Sequence, residues 1–257
     1  MNMSQILPKG KGIFLAYDHG MEHGPEDFNL INCDPEYIFK LGSELGFDAV
    51  ITQAGIAEKY YPKYADKVKL IVKLNGKTRL GKKEPQSIAN CSVKRAMSIG
   101  ASAVGYTIYP GSPYEEMMFK ELGRIVEEAH KLNLPVVVWS YPRGDNISEN
   151  STENIAYAAR IALELGADIV KIKYNGDAEG LRWTVSNAGL TKVMIAGGDK
   201  KDDLGVLREA KEAVDAGAFG LAVGRNIWQS QHPIRLAKAL KKIVYENSSL
   251  NEAKKEL

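Results

Sequence analysis

The sequence predicts an α/β fold in which eight strands alternate with helices. Four times, a helix-like segment ends in glycine and passes directly into an apolar strand. The four repeats are Glu44-Leu-Gly-Phe-Asp-Ala-Val50, Ser98-Ile-Gly-Ala-Ser-Ala-Val104, Glu164-Leu-Gly-Ala-Asp-Ile-Val170 and Asp215-Ala-Gly-Ala-Phe-Gly-Leu221. Glycine commonly ends a helix because it adopts the left-handed conformation without a clash at Cβ. Each repeat therefore predicts the end of a helix and the start of a strand.

Further apolar runs lie between these repeats and bring the candidate strands to eight. They are Gly12–Tyr17, Lys69–Leu74, Leu134–Trp139 and Lys192–Ala196. Helical patterns separate most of the strands, as over Tyr114–Leu132, Glu153–Leu165, Asp203–Ala216 and Pro233–Tyr245. Eight alternating units in 257 residues predict a single (β/α)8 TIM barrel. A doubly wound open sheet is the main alternative, but no Gly-x-Gly-x-x-Gly follows the first strand to support its dinucleotide-binding form.

Length and composition predict one soluble domain over residues 1–257, with a short N-terminal extension over 1–10 and a polar tail over 247–257. The tail is interpreted as either a frayed end or a subunit contact. Hydrophobic residues make up 44% of the chain and charged residues 26%, and the net charge of +2 gives no reason to expect nucleic acid. No apolar run approaches the roughly 18 residues of a membrane span, and the N-terminus does not resemble a signal peptide.

The cysteines have no spacing typical of a metal or redox site. Cys33 and Cys91 therefore fit a protein of the reducing cytoplasm.

His19 and His23 are four residues apart, but Gly20 and Pro25 favour a loop over a helix at this point. A catalytic zinc needs about three converging ligands, so we expect no metal and no other cofactor. His23 is predicted to donate to or accept from a substrate hydroxyl or phosphate, unless both histidines only shape the loop.

Two lysines interrupt the apolar strand Ala167-Asp-Ile-Val-Lys-Ile-Lys-Tyr174. Side chains two apart on a strand share a face, so we expect Lys171 and Lys173 to point the same way. Burial and a neighbouring ammonium both lower the pKa of a lysine, and a neutral lysine forms Schiff bases with carbonyl compounds. The pair therefore indicates carbonyl chemistry. The alternative is that both side chains reach solvent and pair with phosphate or carboxylate groups.

Polar and aromatic side chains collect at the C-terminal ends of the predicted strands, where TIM barrels hold their active sites. The first strand ends in Tyr17-Asp-His-Gly-Met-Glu-His-Gly-Pro25 and the fifth in Trp139-Ser-Tyr-Pro-Arg-Gly144. Gly197 and Gly198 follow the seventh strand, and Gly224 and Arg225 follow the eighth. Backbone N–H groups and a guanidinium at this position predict a phosphate site, although both segments are also explained as tight turns. Asp199 is an awkward neighbour for a dianion.

In these segments the sequence resembles the archaeal-type class I fructose-bisphosphate aldolases. The resemblance rests on Asp18-His-Gly-Met-Glu-His-Gly-Pro25, Trp139-Ser-Tyr-Pro-Arg-Gly144, Lys171-Ile-Lys-Tyr-Asn-Gly-Asp177 and Val223-Gly-Arg-Asn-Ile-Trp228. These motifs occur in the same order between about Gly12 and Tyr245. The chain departs from the pattern at Asp199, where a proline or an uncharged residue is expected after the glycine pair.

The resemblance implies a metal-free aldolase that joins or splits dihydroxyacetone phosphate and glyceraldehyde 3-phosphate. It implies that Lys171 forms the Schiff base, with Tyr141 as general acid and base and Asp18 assisting. Trp139 would line the substrate cleft, and Gly197, Gly198, Gly224 and Arg225 would hold a phosphate near the reacting ketone. His23, Arg143 and Lys173 are the other predicted substrate-binding residues. The resemblance also implies a large homo-oligomer, typically a decamer of two pentamers.

The pKa of tyrosine, about 10, is too high for an unaided base at neutral pH. We therefore expect ammonium or iminium charges near Tyr141 to favour its phenolate.

Two alternatives stay open. One is a 2-amino-3,7-dideoxy-D-threo-hept-6-ulosonate synthase, or another Schiff-base aldolase or transaldolase on the same scaffold. The other is a phosphosugar-binding or isomerising barrel in which Lys171 acts only as a charge.

Overall fold

Eight parallel strands close into a barrel in the computed structural model, which describes residues 3–81 and 84–257. The strands are β1 (Gly12–Ala16), β2 (Ala49–Gln53), β3 (Lys69–Lys73), β4 (Ala103–Ile108), β5 (Val136–Ser140), β6 (Ile169–Ile172), β7 (Lys192–Ala196) and β8 (Gly220–Val223). Each strand pairs with its neighbours in sequence, and β1 closes the ring on β8 with Gly12 opposite Gly220. The predicted TIM barrel is confirmed.

Helical structure follows every barrel strand. The helices are α1 (His19–His23), α2 (Pro35–Glu44), α3 (Ala54–Tyr60), α4 (Val93–Ser98), α5 (Glu115–Lys131), α6 (Thr152–Glu164), α7 (Ala178–Asn187), α8 (Asp203–Asp215), α9 (Arg225–Trp228), α10 (Pro233–Glu246) and α11 (Leu250–Ala253). Single 3-10 turns occupy Met3–Gln5, Pro25–Asp27, Tyr61–Lys63 and Lys254–Glu256. A two-stranded antiparallel hairpin, Asn75–Gly76 with Ile88–Ala89, follows β3.

The glycine of each sequence repeat ends a helix as predicted. Gly46, Gly100, Gly166 and Gly217 have φ angles of 57°, 94°, 87° and 96°. They follow α2, α4, α6 and α8, and after each of these glycines the chain enters a barrel strand within a few residues. The left-handed conformation at these glycines turns the chain from the outer layer of helices back into the sheet.

The barrel interior is packed with apolar side chains rather than open. The inward-facing residues are Phe14, Ala16, Ala49, Ile51, Ile71, Ala103, Val137, Ile169, Met194 and Ala222. Ile6 and Leu7 from the N-terminal segment join the same cluster together with Phe219, which precedes β8. These three side chains close the end of the barrel where the strands begin, so the accessible groups lie at the opposite end.

Trp139 lies just inside the open end of the barrel. It belongs to β5, is almost fully buried, and joins the inner apolar cluster. A Cβ at Gly105 on the neighbouring β4 would overlap the indole ring, so the absence of a side chain there makes room for Trp139. Two ammonium groups of the site lie over this ring.

The C-terminal segment folds back onto the barrel instead of fraying. Ser249 and Glu252 form a capping box at the start of α11, and Ala253 is fully buried. Lys242 of α10 pairs with Glu256 at 2.5 Å, and Arg235 donates to the carbonyl of Leu257.

Within residues 3–81 and 84–257, no helix has the length and apolar character needed to cross a membrane.

Asp48 and Asp168 occupy the same place in two of the sequence repeats and make the same contact. Their Oδ2 atoms accept hydrogen bonds from the backbone N–H of Ile13 and Val136, each at 2.8 Å. Asp48 also accepts from the hydroxyl of Tyr245. Each aspartate thus ties the start of its own strand to the start of a neighbouring strand.

We predict that Asp48→Ala lowers the free energy of unfolding by about 1–3 kcal/mol, because it leaves a buried backbone N–H and a tyrosine hydroxyl without their acceptor. Chemical denaturation followed by circular dichroism measures this loss. Asp66→Ala, at an exposed carboxylate, is the control and should change stability by less than about 0.5 kcal/mol. Equal effects of the two substitutions would contradict the assigned role of Asp48.

Candidate active site

The residues predicted from the sequence line one cavity at the C-terminal ends of the strands. The cavity has a volume of about 410 Å³. Its lining includes Asp18, His23, Trp139, Tyr141, Arg143, Lys171, Lys173, Gly197, Gly198, Gly224 and Arg225. These side chains come from the ends of β1, β5, β6, β7 and β8, so the barrel gathers residues that are far apart in the chain.

Lys171 is a buried lining residue of the cavity. It is the third residue of β6, only 6% of its surface is exposed, and its Nζ lies 5.2 Å from the centroid of the Trp139 ring. Burial lowers the pKa of Lys171 to about 8; the carboxylate of Asp18 opposes this shift and the ammonium of Lys73 adds to it. At pH 7 its neutral fraction is about 300-fold larger than that of an ordinary lysine.

The second ammonium beside Lys171 belongs to Lys73 and not to Lys173. Lys73 ends β3, is 1% exposed, and lies 5.4 Å from the centroid of the same Trp139 ring. Its Nζ is 3.0 Å from Asp18 Oδ2 and also pairs with Glu22. Burial alone would lower the pKa of Lys73, but the two carboxylates outweigh burial and raise that pKa above its ordinary value.

Lys173 lines the cavity on the same side as Lys171, but it does not play the expected electrostatic role. Strand β6 ends at Ile172, so Lys173 stands at the rim with 33% of its side chain exposed. There it pairs with Glu149, which also lies 3.1 Å from Arg143 Nε. The paired charge is partly solvated and neutralised, and therefore has little effect on Lys171.

Asp18 is the counter-ion for the two buried ammonium groups. It follows β1 and is 7% exposed. Burial alone would raise the pKa of Asp18, but the charges of Lys73 and Lys171 hold it well below the usual range of a carboxyl group. Asp18 is therefore ionised at neutral pH.

Tyr141 is protonated in the unliganded cavity, so the expected phenolate is wrong for this state. Burial raises its pKa well above the usual value of tyrosine, and the carboxylates of Asp18 and Glu22 add to the effect. The cations near Tyr141 are visible in the sequence motifs, whereas the effect of the two carboxylates depends on the fold. In this state the phenol is able to donate a proton.

The indole Nε1 of Trp139 is buried and has no hydrogen-bond partner within residues 3–81 and 84–257. A buried donor without an acceptor is costly.

His19 and His23 lie on a short helix, α1, although Gly20 and Pro25 had favoured a loop. The helix is a single turn of five residues, and Gly24 ends it with a φ of 83° before Pro25 starts a 3-10 turn. The turn brings Glu22 onto Lys73. That ion pair joins groups far apart in the sequence, and the local pattern could not indicate it.

The two histidines have different surroundings. Burial lowers the pKa of His19 to about 4, so its imidazole is neutral. A Cβ at Gly224 would lie 2.5 Å from the ring of His19, and close packing is therefore one reason for glycine at that position. His23 lies 2.9 Å from Asp27 and reaches the edge of the cavity.

The ends of β7 and β8 bring together the residues for which the sequence predicted a phosphate site. The N–H of Gly197 is not available, since it donates to the carbonyl of Ala222 at 2.9 Å. Gly198 has a left-handed φ of 63°. Arg225 lies beside it, and the buried Nε of Arg225 has no partner in the part of the chain that the structure describes. An unpaired guanidinium N–H in a cleft is suited to a phosphate oxygen.

Four residues of the site, Lys73, Glu22, Glu149 and Asn226, carry no functional signal in the motifs described above. Asn226 is buried and its side chain ties the loop after β7 to the loop after β8. A lysine at the end of the apolar strand Lys69–Lys73 was the available signal for Lys73. Among the described residues, no three His, Cys, Asp or Glu side chains converge as metal ligands.

Comparisons with known proteins agree in one family. The family model for DeoC/LacD family aldolases matches residues 13–230. The class 1 fructose-bisphosphate aldolase of Thermoproteus tenax is 54% identical over 248 residues, which cover 95% of this chain and 93% of that protein. The 2-amino-3,7-dideoxy-D-threo-hept-6-ulosonate synthase of Halobacterium salinarum is 32% identical over 246 residues, covering 96% and 91% of the two chains.

A solved structure of an archaeal fructose-1,6-bisphosphate aldolase superposes with a TM-score of 0.89 at 53% identity. The match covers 94% of this chain and 98% of that chain. In that structure the catalytic lysine is covalently bound to the carbinolamine intermediate of the substrate. The chain belongs to the DeoC/LacD aldolase family and, within it, to the archaeal-type class 1 fructose-bisphosphate aldolases.

Proposed function

We propose that this protein is a Schiff-base, metal-independent fructose-1,6-bisphosphate aldolase. It reversibly cleaves the open-chain ketose to dihydroxyacetone phosphate and glyceraldehyde 3-phosphate. The observation that carries the proposal is the buried Lys171 amine, which is held over Trp139 beside an ionised Asp18 and has a pKa of about 8. The 54% identity to an aldolase, against 32% to the heptulosonate synthase, favours this activity over the alternative.

Bond formation begins at the neutral amine. The lone pair of Lys171 Nζ attacks the C2 carbonyl of the ketose and forms a carbinolamine. Tyr141, which is protonated in the unliganded cavity, donates a proton to the carbinolamine hydroxyl so that it leaves as water. The nitrogen then carries the positive charge of the iminium, and the ionised Asp18 balances that charge.

Cleavage uses the same tyrosine in its deprotonated form. The phenolate of Tyr141, stabilised by the adjacent iminium, removes the proton of the C4 hydroxyl. The C3–C4 bonding electrons move to the iminium nitrogen, which yields an enamine, and glyceraldehyde 3-phosphate departs. Tyr141 returns the proton to C3, and water then hydrolyses the iminium to release dihydroxyacetone phosphate. No cofactor is needed, because the iminium itself accepts the electrons.

The remaining cavity residues bind the substrate in this proposal. The phosphate nearest the reacting ketone is held by Arg225 together with Gly197, Gly198 and Gly224. The unpaired Nε of Arg225 supports this role. His23, Arg143 and Lys173 contact the substrate beyond the reacting carbons. Gly197 contributes close approach rather than a donor, because its N–H is already bonded.

We also propose a cytoplasmic, homo-oligomeric enzyme. Cys33 and Cys91 are both free thiols, which suits a reducing compartment. Tyr157 on α6 and Trp183 on α7 are exposed, and these helices pack against each other. Large exposed aromatic side chains are typical of subunit contacts.

Lys171→Met is predicted to abolish cleavage of fructose 1,6-bisphosphate and borohydride trapping of dihydroxyacetone phosphate. The reason is that the Lys171 amine is buried in the cavity and has a lowered pKa, whereas Lys173 stands at the rim in an ion pair with Glu149. Peptide mass mapping of the wild-type protein locates the trapped adduct, and Lys173→Met is the control that should still form it. An adduct on Lys173, or full turnover without any adduct, would contradict the assignment.

The pH dependence of kcat/KM for cleavage should rise through an apparent pKa of about 8, because only the neutral form of Lys171 attacks the ketone. Below that pH the rate should fall about tenfold per pH unit as the amine gains its proton. Assays in the presence of a chelator, from pH 5.5 to 9.5, measure the profile.

Glu22→Gln tests the cause of this pKa. The carboxylate of Glu22 favours the charged form of Lys171, so its removal should move the rising limb of the profile to lower pH. Asp145→Asn, at an exposed carboxylate of another loop, should leave the limb in place. A limb that does not move in Glu22→Gln would show that the network around Lys73 does not set the reactivity of Lys171.

Analytical ultracentrifugation should find a homo-oligomer, with a decamer of two pentamers as the expected size. Replacement of Trp183 by Glu places a charge in the proposed contact and should produce smaller species. A wild-type protein that sediments as a monomer at micromolar concentration would contradict the proposal.

A further inference from the structure

The guanidinium of Arg225 faces two carboxylates that differ greatly in exposure. Its Nη1 lies 3.5 Å from Asp27 Oδ1, and its Nη2 lies 3.0 Å from Asp199 Oδ1 and 3.2 Å from the carbonyl of Gly198. The side chain of Asp27 is 13% exposed, whereas that of Asp199 is 93% exposed. The first pair belongs to the protein interior and the second to its surface.

Asp27 is held firmly in place. His23 Nδ1 lies 2.9 Å from its Oδ2, and the side chain of Gln229 donates to its backbone carbonyl at 2.7 Å. Asp27 therefore orients Arg225 whether or not a ligand is present.

The backbone at Asp199 is fixed while its side chain is not. The buried Asn226 donates to the carbonyls of Gly197 and Asp199 and accepts from the N–H of Lys201 at 2.8 Å. These contacts hold the loop against α9. The carboxylate of Asp199 extends into solvent beyond them, and rotation about its side-chain bonds would release Arg225 without any movement of the loop.

An anion that enters the cavity meets this carboxylate at the guanidinium. Asp199, Gly198, Gly224 and Arg225 all line the same cavity. Arg225 has an unpaired buried Nε and two Nη groups already near carboxylate oxygens. A phosphate that takes two parallel N–H bonds from Arg225 must displace Asp199, because two anions on one face of a guanidinium repel each other.

We propose that Asp199 is a displaceable counter-ion of Arg225 that competes with the phosphate group of the substrate and so weakens its binding. The inference rests on the proposed function, since the competing anion is the substrate's phosphate ester. Asp199 acts through its ion pair with Arg225, and its proposed role is to set the affinity for the phosphate rather than to take part in catalysis.

Asp199→Asn keeps the shape of the side chain and removes its charge. We expect the KM for fructose 1,6-bisphosphate and the inhibition constant of inorganic phosphate to fall about two- to fivefold, the range typical of exposed ion pairs. The change should fall on these two constants rather than on kcat, because the residue acts before bond formation. The difference from wild type should shrink as sodium chloride is raised from 0.05 to 0.5 M, since salt screens an exposed charge.

Arg225→Ala and the double variant Arg225→Ala/Asp199→Asn complete the experiment, with Asp145→Asn as the control for loss of one surface charge. Arg225→Ala should weaken phosphate inhibition, and Asp199→Asn should have no further effect in that background. If Arg225→Ala weakens inhibition but Asp199→Asn leaves it unchanged or weaker, the inference about Asp199 is overturned and the proposed phosphate site stands. If Arg225→Ala itself has no effect, the phosphate site of the proposed function is wrong, and the inference fails with it.

Discussion

The site depends on one arrangement of buried charges: Lys73 held between Asp18 and Glu22, directly beside Lys171. Removing ions from water is costly, and a buried lysine without counter-ions would lose its proton or disrupt the fold. Lys73 keeps its proton because two carboxylates surround it. Its positive charge, together with burial, then lowers the pKa of Lys171. A single network thus keeps one amine charged and lets its neighbour become neutral.

The same network accounts for the order of the proton transfers in the proposed mechanism. Asp18 and Glu22 raise the pKa of Tyr141, so the resting phenol holds its proton. A carbinolamine needs an acid before it needs a base, and a protonated tyrosine suits that order. Once the iminium forms, a new positive charge appears beside the phenol, and the balance moves towards the phenolate that cleavage requires. In the proposed mechanism, formation of the iminium therefore shifts Tyr141 from the acid that the first step needs towards the base that cleavage needs.

The repeats ending in glycine and the alternation of strands with helices predicted the barrel, and the barrel then predicted that the strand ends would converge. The residues at those ends do converge around one cavity. What could not be read from the sequence were the pairings between distant strands. Lys73 and Glu22 are 51 positions apart, and Lys173 and Glu149 are 24 apart. Neither pair follows a local period, so the sequence does not show that Glu149 pairs with Lys173 or that Glu22 lies near enough to raise the pKa of Tyr141.

The closure of the ring at Gly12 and Gly220 also has a consequence for folding. This pairing joins positions separated by roughly 200 residues, so the loop entropy lost in forming it is among the largest in the chain. Ile6 and Leu7 acquire their surroundings only when the last strand has arrived beside the first. An emerging polypeptide on the ribosome therefore cannot complete this enzyme's interior until nearly all of it has been synthesised, and Ile6 and Leu7 do not reach their native contacts before then.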